Sequence, residues 1–229
     1  MGDTTDFPQF RRIVDLTLPL VPGAGDRPLR IERGRTEELT VHAPVDHPWY
    51  IMHRVETISH IGTHIEAPYH CIEDGRDLAG IPLDRLVGEV AVLDLSGLPL
   101  DSIVGAPELA AIAEAAGGVQ HGDIAFLRTG FAARRDAPEY AHRPSLTAGA
   151  MTYLVDRGVK LVGTDLSGLE GPLTPGHLDC HLALLRHDIP FIENLANLNA
   201  LGRLRVFVCA LPIPVVGLDA FPLRVVAFE

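Results

Sequence analysis

The rhythm of apolar and polar positions changes partway along this chain. Up to about residue 48, short apolar runs such as Ile13-Val14 are separated by stretches rich in Pro, Gly, Arg and Asp. That pattern predicts short strands and long loops, a flap-like region with little helix. From residue 88 the pattern is regular. Residues 88–95, GEVAVLDL, are a compact apolar run of the kind found in buried strands. Residues 107–116 are Ala-rich, begin on Pro107 and stop at Gly117-Gly118, which predicts a helix. A strand at 123–128, a helix over 147–157 closed by Gly158 and a strand at 159–162 follow. A helix over 177–187, a short strand at 190–193 and strands at 205–211 and 223–228 complete the series. Helices alternating with strands, behind an irregular or mainly β N-terminal third, predict a single α/β domain over residues 1–229. The order of the strands does not follow from the pattern.

Composition narrows the setting. A chain of 229 residues buries enough apolar surface to fold without a disulfide or zinc staple. Its net charge of −11 repels phosphate, which argues against nucleic acid and anionic membranes as partners. Cys71, Cys180 and Cys209 are odd in number and widely spaced, which suits buried thiols in a reducing compartment. The opening MGDTTDFPQF lacks the basic and apolar regions of a secretory leader, and Asp6 breaks the myristoylation pattern. No apolar run approaches the ~20 residues that span a bilayer. The expectation is a cytoplasmic protein. A mean hydropathy of +0.18 beside that charge points to apolar surface buried between subunits.

The chemistry concentrates in histidine. Of eleven histidines, His60, His64 and His70 share one short window, and His177, His181 and His187 share another. Both triplets are spaced four then six, but the residues between them do not match, so they are no repeat. In the first window a helix is disfavoured by Ile58, Ile61, Thr63 and Ile65, by Gly62 and by Pro68. A strand puts His60, His64 and Glu66 on one face, with Gly62 leaving room for an ion and Thr63 and Ile65 turned to the core. Two imidazoles and a carboxylate around an open space suit a divalent transition metal with positions left for water. The same histidines could instead be satisfied core or surface residues. In the second window, His181 and Glu193 are either further ligands or a capping histidine and a solvated glutamate. His187 suits a helix C-terminus, and His177 falls in a loop.

These residues carry a resemblance. His60-Ile-Gly-Thr-His64-Ile-Glu-Ala-Pro-Tyr-His70 resembles the HxGTHxDAPxH motif of the cyclase-like metal hydrolases, which include bacterial kynurenine formamidases and isatin hydrolases. Segments at 15–20, 122–130, 163–167 and 192–195 resemble family segments in the same order. The resemblance implies a swivelling β/β/α fold, a homodimer or homotetramer, and a centre of one or two divalent ions, zinc first and manganese as the alternative. It implies that His60 and His64 hold the first ion and Glu66 bridges to a second held by His181 and Glu193. It implies that His70 is the proton donor or acceptor. The family usually has Asp where this chain has Glu66, one methylene longer, which leaves the bridging geometry and the second ion open.

The predicted activity is metal-assisted hydrolysis of a C–N bond in a small-molecule aryl formamide or cyclic amide, with His70 moving the proton. Lactone hydrolysis, a cyclase or dehydratase reaction, and a metal-binding protein without catalysis are the alternatives. No GxSxG elbow supports a serine hydrolase. Cys71 beside His70 would point the opposite way in an extended chain, against a thiol nucleophile. Trp49 is either a stacking surface for an aryl ring or a core aromatic. Arg128 pairs with a substrate carboxylate or with an internal acid.

Overall fold

The computed structural model describes residues 10–25, 27–34, 51–174 and 178–229. Its framework is an eight-stranded sheet that closes on itself. The strands are β1 (Ile13–Asp15), β4 (His64–Glu66), β5 (Val87–Asp94), β7 (Ile124–Arg128), β9 (Leu161–Thr164), β10 (Phe191–Glu193), β11 (Arg205–Pro212) and β12 (Ala220–Phe228). Their order is β1-β12-β11-β5-β7-β9-β10-β4, and β12 pairs again with β4. Closure depends on the length of β12. Its first residues, Ala220 to Pro222, pair with Glu66 to His64, while its later residues pair with β11 on one edge and β1 on the other.

Strands β5, β7, β9 and β10 run parallel. The connections between them carry α2 (Ala106–Ala115), α3 (Ala148–Asp156) and α4 (Asp179–Leu185), and a short α1 (Leu83–Leu86) leads into β5. The predicted α/β series therefore holds, with ends shifted by a few residues. Thr147, read as the first helical residue, caps α3 by accepting from Ala150 N.

The two-residue period of the strands divides the apolar residues between two cores. Val90, Val92, Ile124, Phe126, Leu161, Ile192 and Ile65 pack inside the barrel with Val208, Val225 and Ala227. Ala91, Leu93, Ala125, Leu127, Val162 and Phe191 face outward and pack under the helices against Leu109, Met151, Leu154 and Leu184. On β5, β7, β9 and β10 the residues next to inward ones thus point at the helical layer. For β4 and β10 those outward residues include His64, Glu66 and Glu193.

The N-terminal third is β-rich where it is described. Besides β1 it contains β2 (Leu29–Gly34) and β3 (Met52–Thr57), an antiparallel ribbon separate from the barrel. The ribbon is mostly exposed, as a flap would be, with Ile31 47% and Val55 60% accessible. Strands β6 (Ile103–Val104) and β8 (Ser145–Leu146) form a second small pair. Among the described residues no helix is long and apolar enough to cross a membrane.

Candidate metal centre

The site begins with register. In the antiparallel β4–β10 pair, Glu193 lies opposite His64 and Phe191 opposite Glu66. All three polar side chains are on the outward face, so pairing alone brings both carboxylates and one imidazole together. The fourth member descends from the helical layer. His181, in the first turns of α4, places its ring edge-on to Phe191 at 5.3 Å between centroids. Its Nε2 lies 3.4 Å from both Glu66 Oε2 and Glu193 Oε1.

His60 reaches the site by a different route from the one its spacing suggests. The chain is not a strand from 60 to 66: β4 starts at His64, and residues before it bend. The turn is at Gly62, with φ of +59°, where a side chain is strained and a Cβ would collide with Leu20 Cδ2. Gly62 is therefore favoured by backbone conformation. Its carbonyl accepts hydrogen bonds at 2.9 Å from His64 Nδ1 and 3.1 Å from Asn194 Nδ2. Folded back by this turn, His60 sets Nδ1 3.0 Å from Glu66 Oε1. His64 Nε2 approaches the same oxygen at 3.4 Å. Thr63 and Ile65 are buried on the far side as expected. His70 comes last, on a single 3-10 turn over Pro68–His70.

The two oxygens of Glu66 therefore face different partners, Oε1 toward His60 and His64, Oε2 toward His181. The longer side chain reaches both groups. Ligand atoms of His60, His64 and Glu66 lie within 4.8 Å of one another, as do those of Glu66, His181 and Glu193. Two atoms at the junction, His64 Nε2 and Glu66 Oε2, are buried without a hydrogen-bond partner. Buried polar atoms are rarely left so, and a cation between them is the occupant both would accept. Neutral imidazoles and carboxylates are the donors divalent transition metals take. The residues present fit such an ion.

Two carboxylates that the sequence did not single out complete the surroundings. Glu170 sits in the loop after β9 and contacts His181 Nδ1 at 2.8 Å, while also accepting from Cys180 N and His181 N. It holds the start of α4 and leaves His181 Nε2 facing Glu66, the arrangement by which outer carboxylates orient metal-binding histidines. Asp219 lies 2.7 Å from His60 Nε2 and 3.1 Å from His70 Nδ1. Nothing local marks either residue. Glu170 is in a Gly- and Pro-rich loop, and Asp219 is a single acid in an apolar stretch.

The electrostatics follow from crowding. Burial works against charge on His60, yet hydrogen bonds to Glu66 and Asp219 push it up to about 8. Burial opposes charge on His181 too, but Glu170, Glu193 and Glu66 push it up to about 10. Burial alone would raise Glu66, but the hydrogen bond from His60 and the close approach of His64, His181 and His70 hold it well below the usual carboxylate range. The stripped cluster thus holds protons where a cation would otherwise sit.

The remaining candidates fall elsewhere. Arg128 is ion-paired with Asp94 at 2.7 Å, the internal alternative of its two readings. His187 is exposed in the turn after α4, away from the cluster. Cys71 ends the 3-10 turn rather than lying in extended chain. Burial and the carboxylates Glu66, Glu170 and Asp219 raise its thiol to about 11, which leaves it inert as a nucleophile. Trp49 and His177 lie outside the described residues.

Comparison with known proteins points the same way. The Cyclase family model, described as "Putative cyclase", matches residues 14–171. A kynurenine formamidase of Erythrobacter litoralis (strain HTCC2594) is 30% identical over 221 residues, 96% of this chain and 94% of its own. Isatin hydrolase A from Labrenzia aggregata, solved bound to benzyl benzoate, superposes with a TM-score of 0.76 at 27% identity, covering 95% of this chain and 93% of that one. A solved potential metal-dependent hydrolase with cyclase activity gives a TM-score of 0.73 at 27% identity, covering 95% of this chain and 98% of that one.

Proposed function

The chain belongs to the cyclase family, and on that premise we propose that it is a metal-dependent amidohydrolase cleaving a non-peptide C–N bond, in an aryl formamide or a cyclic amide. The observation that carries the reading is the junction at Glu66. One carboxylate faces two ligand groups, with His64 Nε2 and Glu66 Oε2 buried between them without a hydrogen-bond partner. The relatives support the substrate class through their names, a kynurenine formamidase and an isatin hydrolase.

In this reading His60, His64 and Glu66 hold one divalent ion, and Glu66, His181 and Glu193 hold a second. When bound, such an ion lowers the pKa of water and polarises a carbonyl. The protein's own part is to aim ligands and move a proton. His64 turns Nε2 inward because Nδ1 is engaged by the Gly62 carbonyl. His181 does the same through Glu170. His70, at the more exposed edge with Nδ1 beside Asp219, has Nε2 to take a proton and return it to the leaving nitrogen. General acid–base transfer of this kind contributes about 10²–10⁴-fold.

Zinc is the first choice of ion and manganese the second, supported by a donor set of imidazole and carboxylate. A cytoplasmic homodimer or homotetramer acting on a small molecule completes the proposal. It is supported by three free cysteines and by the exposed apolar residues of the ribbon.

The test pairs elemental analysis with a panel of aryl formamides, isatin-like lactams and lactones. We expect one to two equivalents of a divalent metal and turnover of a formamide or lactam. Turnover of lactones alone would move the assignment to the neighbouring ester chemistry. Metal without any turnover would leave a binding protein. For His70→Ala, turnover should fall by about 10²–10⁴-fold with metal content unchanged.

A further inference from the structure

Asp219 stands one residue before β12, and the register of closure fixes its place. Ala220 pairs with Glu66, and Ala67 N donates to the Asp219 carbonyl at 2.8 Å. This delivers the Asp219 side chain to the end of β4, where the chain turns into Pro68–His70. Its Oδ2 lies 2.7 Å from His60 Nε2 and 3.1 Å from His70 Nδ1. Ser59 Oγ–H donates to the other oxygen, Oδ1, at 3.1 Å. The two rings it touches are packed together, with centroids 4.4 Å apart.

An ionised carboxylate only accepts hydrogen bonds, so each imidazole must turn an N–H toward it. The consequence for the neutral rings is fixed. His60 carries its proton on Nε2 and leaves the Nδ1 lone pair for the side on which Glu66 and His64 sit. His70 carries its proton on Nδ1 and leaves Nε2 bare. From these contacts we propose that Asp219 is a positioning residue, one carboxylate oxygen that sets the tautomer of a metal-binding histidine and of the proton carrier together. Ser59 is the hydroxyl that keeps that oxygen turned toward both rings. The inference rests on the roles given above to His60 and His70.

Geometry separates this role from simple support of the fold. Asp219 is half-exposed, and its backbone contact with β4 survives replacement of the side chain. Asp219→Ala removes the acceptor. Asp219→Asn keeps an oxygen that can accept from both rings but removes the charge. Removing an outer partner of this kind costs about 10–100-fold in activity or metal affinity. We expect Asp219→Ala to show that loss in kcat with KM little changed, to release its metal at lower chelator concentration, and to melt within a few degrees of the parent. Asp219→Asn should recover part of kcat, and Ser59→Ala should give a smaller loss of the same kind.

The decisive readout needs no substrate. Long-range ¹H–¹⁵N correlation spectra of metal-loaded protein report which nitrogen of His70 carries the proton. The expected result is Nδ1–H in the parent and a mixture, or Nε2–H, in Asp219→Ala. Retention of the parent tautomer and parent kcat in Asp219→Ala would overturn the inference. If His70→Ala loses turnover while Asp219→Ala does not, the inference falls and the proposed function stands. If no formamide or lactam is turned over by the parent, the proposed function falls, and the tautomer spectra still decide the role of Asp219.

Discussion

The centre has two ends built from the same kinds of side chain in opposite surroundings. At the inner end Glu66, His181 and Glu193 are all buried; at the outer end His60, His70 and Asp219 are each partly exposed. The inner groups stand on paired strands and a helix, with apolar layers on both sides. The outer groups stand on a bend, a single 3-10 turn and a loop. A buried set of charges must be matched or it is costly, so the inner end suits permanent possession of a cation. An accessible set exchanges protons and admits a substrate. In the proposed function that difference would divide the labour: retention inside, turnover outside.

The sharpest way to break that comparison is at Glu66, an inner residue whose Oε1 also meets His60 of the outer end. In Glu66→Ala a carboxylate facing both ligand groups is gone, and His64 and His181 are left with Glu193, at 3.7 Å and 3.4 Å. We expect metal content to fall below one equivalent and turnover to reach background, a larger loss than for His70→Ala, which keeps its metal. Equal metal content in the two variants, by elemental analysis, would mean that Glu66 is not shared. The contrast also bears on the aspartate usual in the family. If Glu66→Asp raises or preserves metal content, the extra methylene is tolerated rather than needed.

A smaller effect is expected one layer out. Glu170 touches only His181 among the cluster, so Glu170→Gln should weaken the inner end alone. Loss of such an outer partner lowers metal affinity about 10–100-fold. Chelator titration should then show one weakened and one parent-like equivalent. A uniform weakening of both would place Glu170 in support of the whole fold, through its hydrogen bonds to the start of α4.

How much of this was legible in sequence depends on whether the signal was local. The strand and helix series from residue 88 onward is written in short-range period and capping, and the fold follows it closely. His64 and Glu66 share a face because they are two positions apart in a strand. His60 does lie beside His64 and Glu66, as its spacing suggests, but the turn at Gly62, rather than a continuous strand, brings it there. His181 and Glu193 could not be joined to the first window by spacing, because their meeting depends on β10 lying between β9 and β4. Asp219 was invisible for the same reason in stronger form. It reaches His60 and His70 only because β12 starts beyond the end of β11, with three residues that pair with β4.

The smallest expected effect is a pH dependence that reads the two ends separately. In protein stripped of metal, His60 is raised to about 8 and His181 to about 10, against a usual value near 6.5. A histidine raised on folding adds stability that is fully present below its unfolded pKa and is lost as pH rises through its folded pKa. The stripped protein should therefore melt at lower temperature as pH rises from 6.5 to 10, the outer end giving way first and the inner end later. Each kcal/mol lost should lower the melting point by about 2–4 °C in a chain of this size. Metal-loaded protein should behave in the opposite sense, because the ion competes with the same protons and is held more tightly as they leave. Asp219→Asn should flatten the lower part of the stripped profile and Glu170→Gln the upper part. A stripped protein whose melting point climbs over that range would show that the cluster is not protonated as its contacts require, and the distinction between the two ends would lose its electrostatic basis.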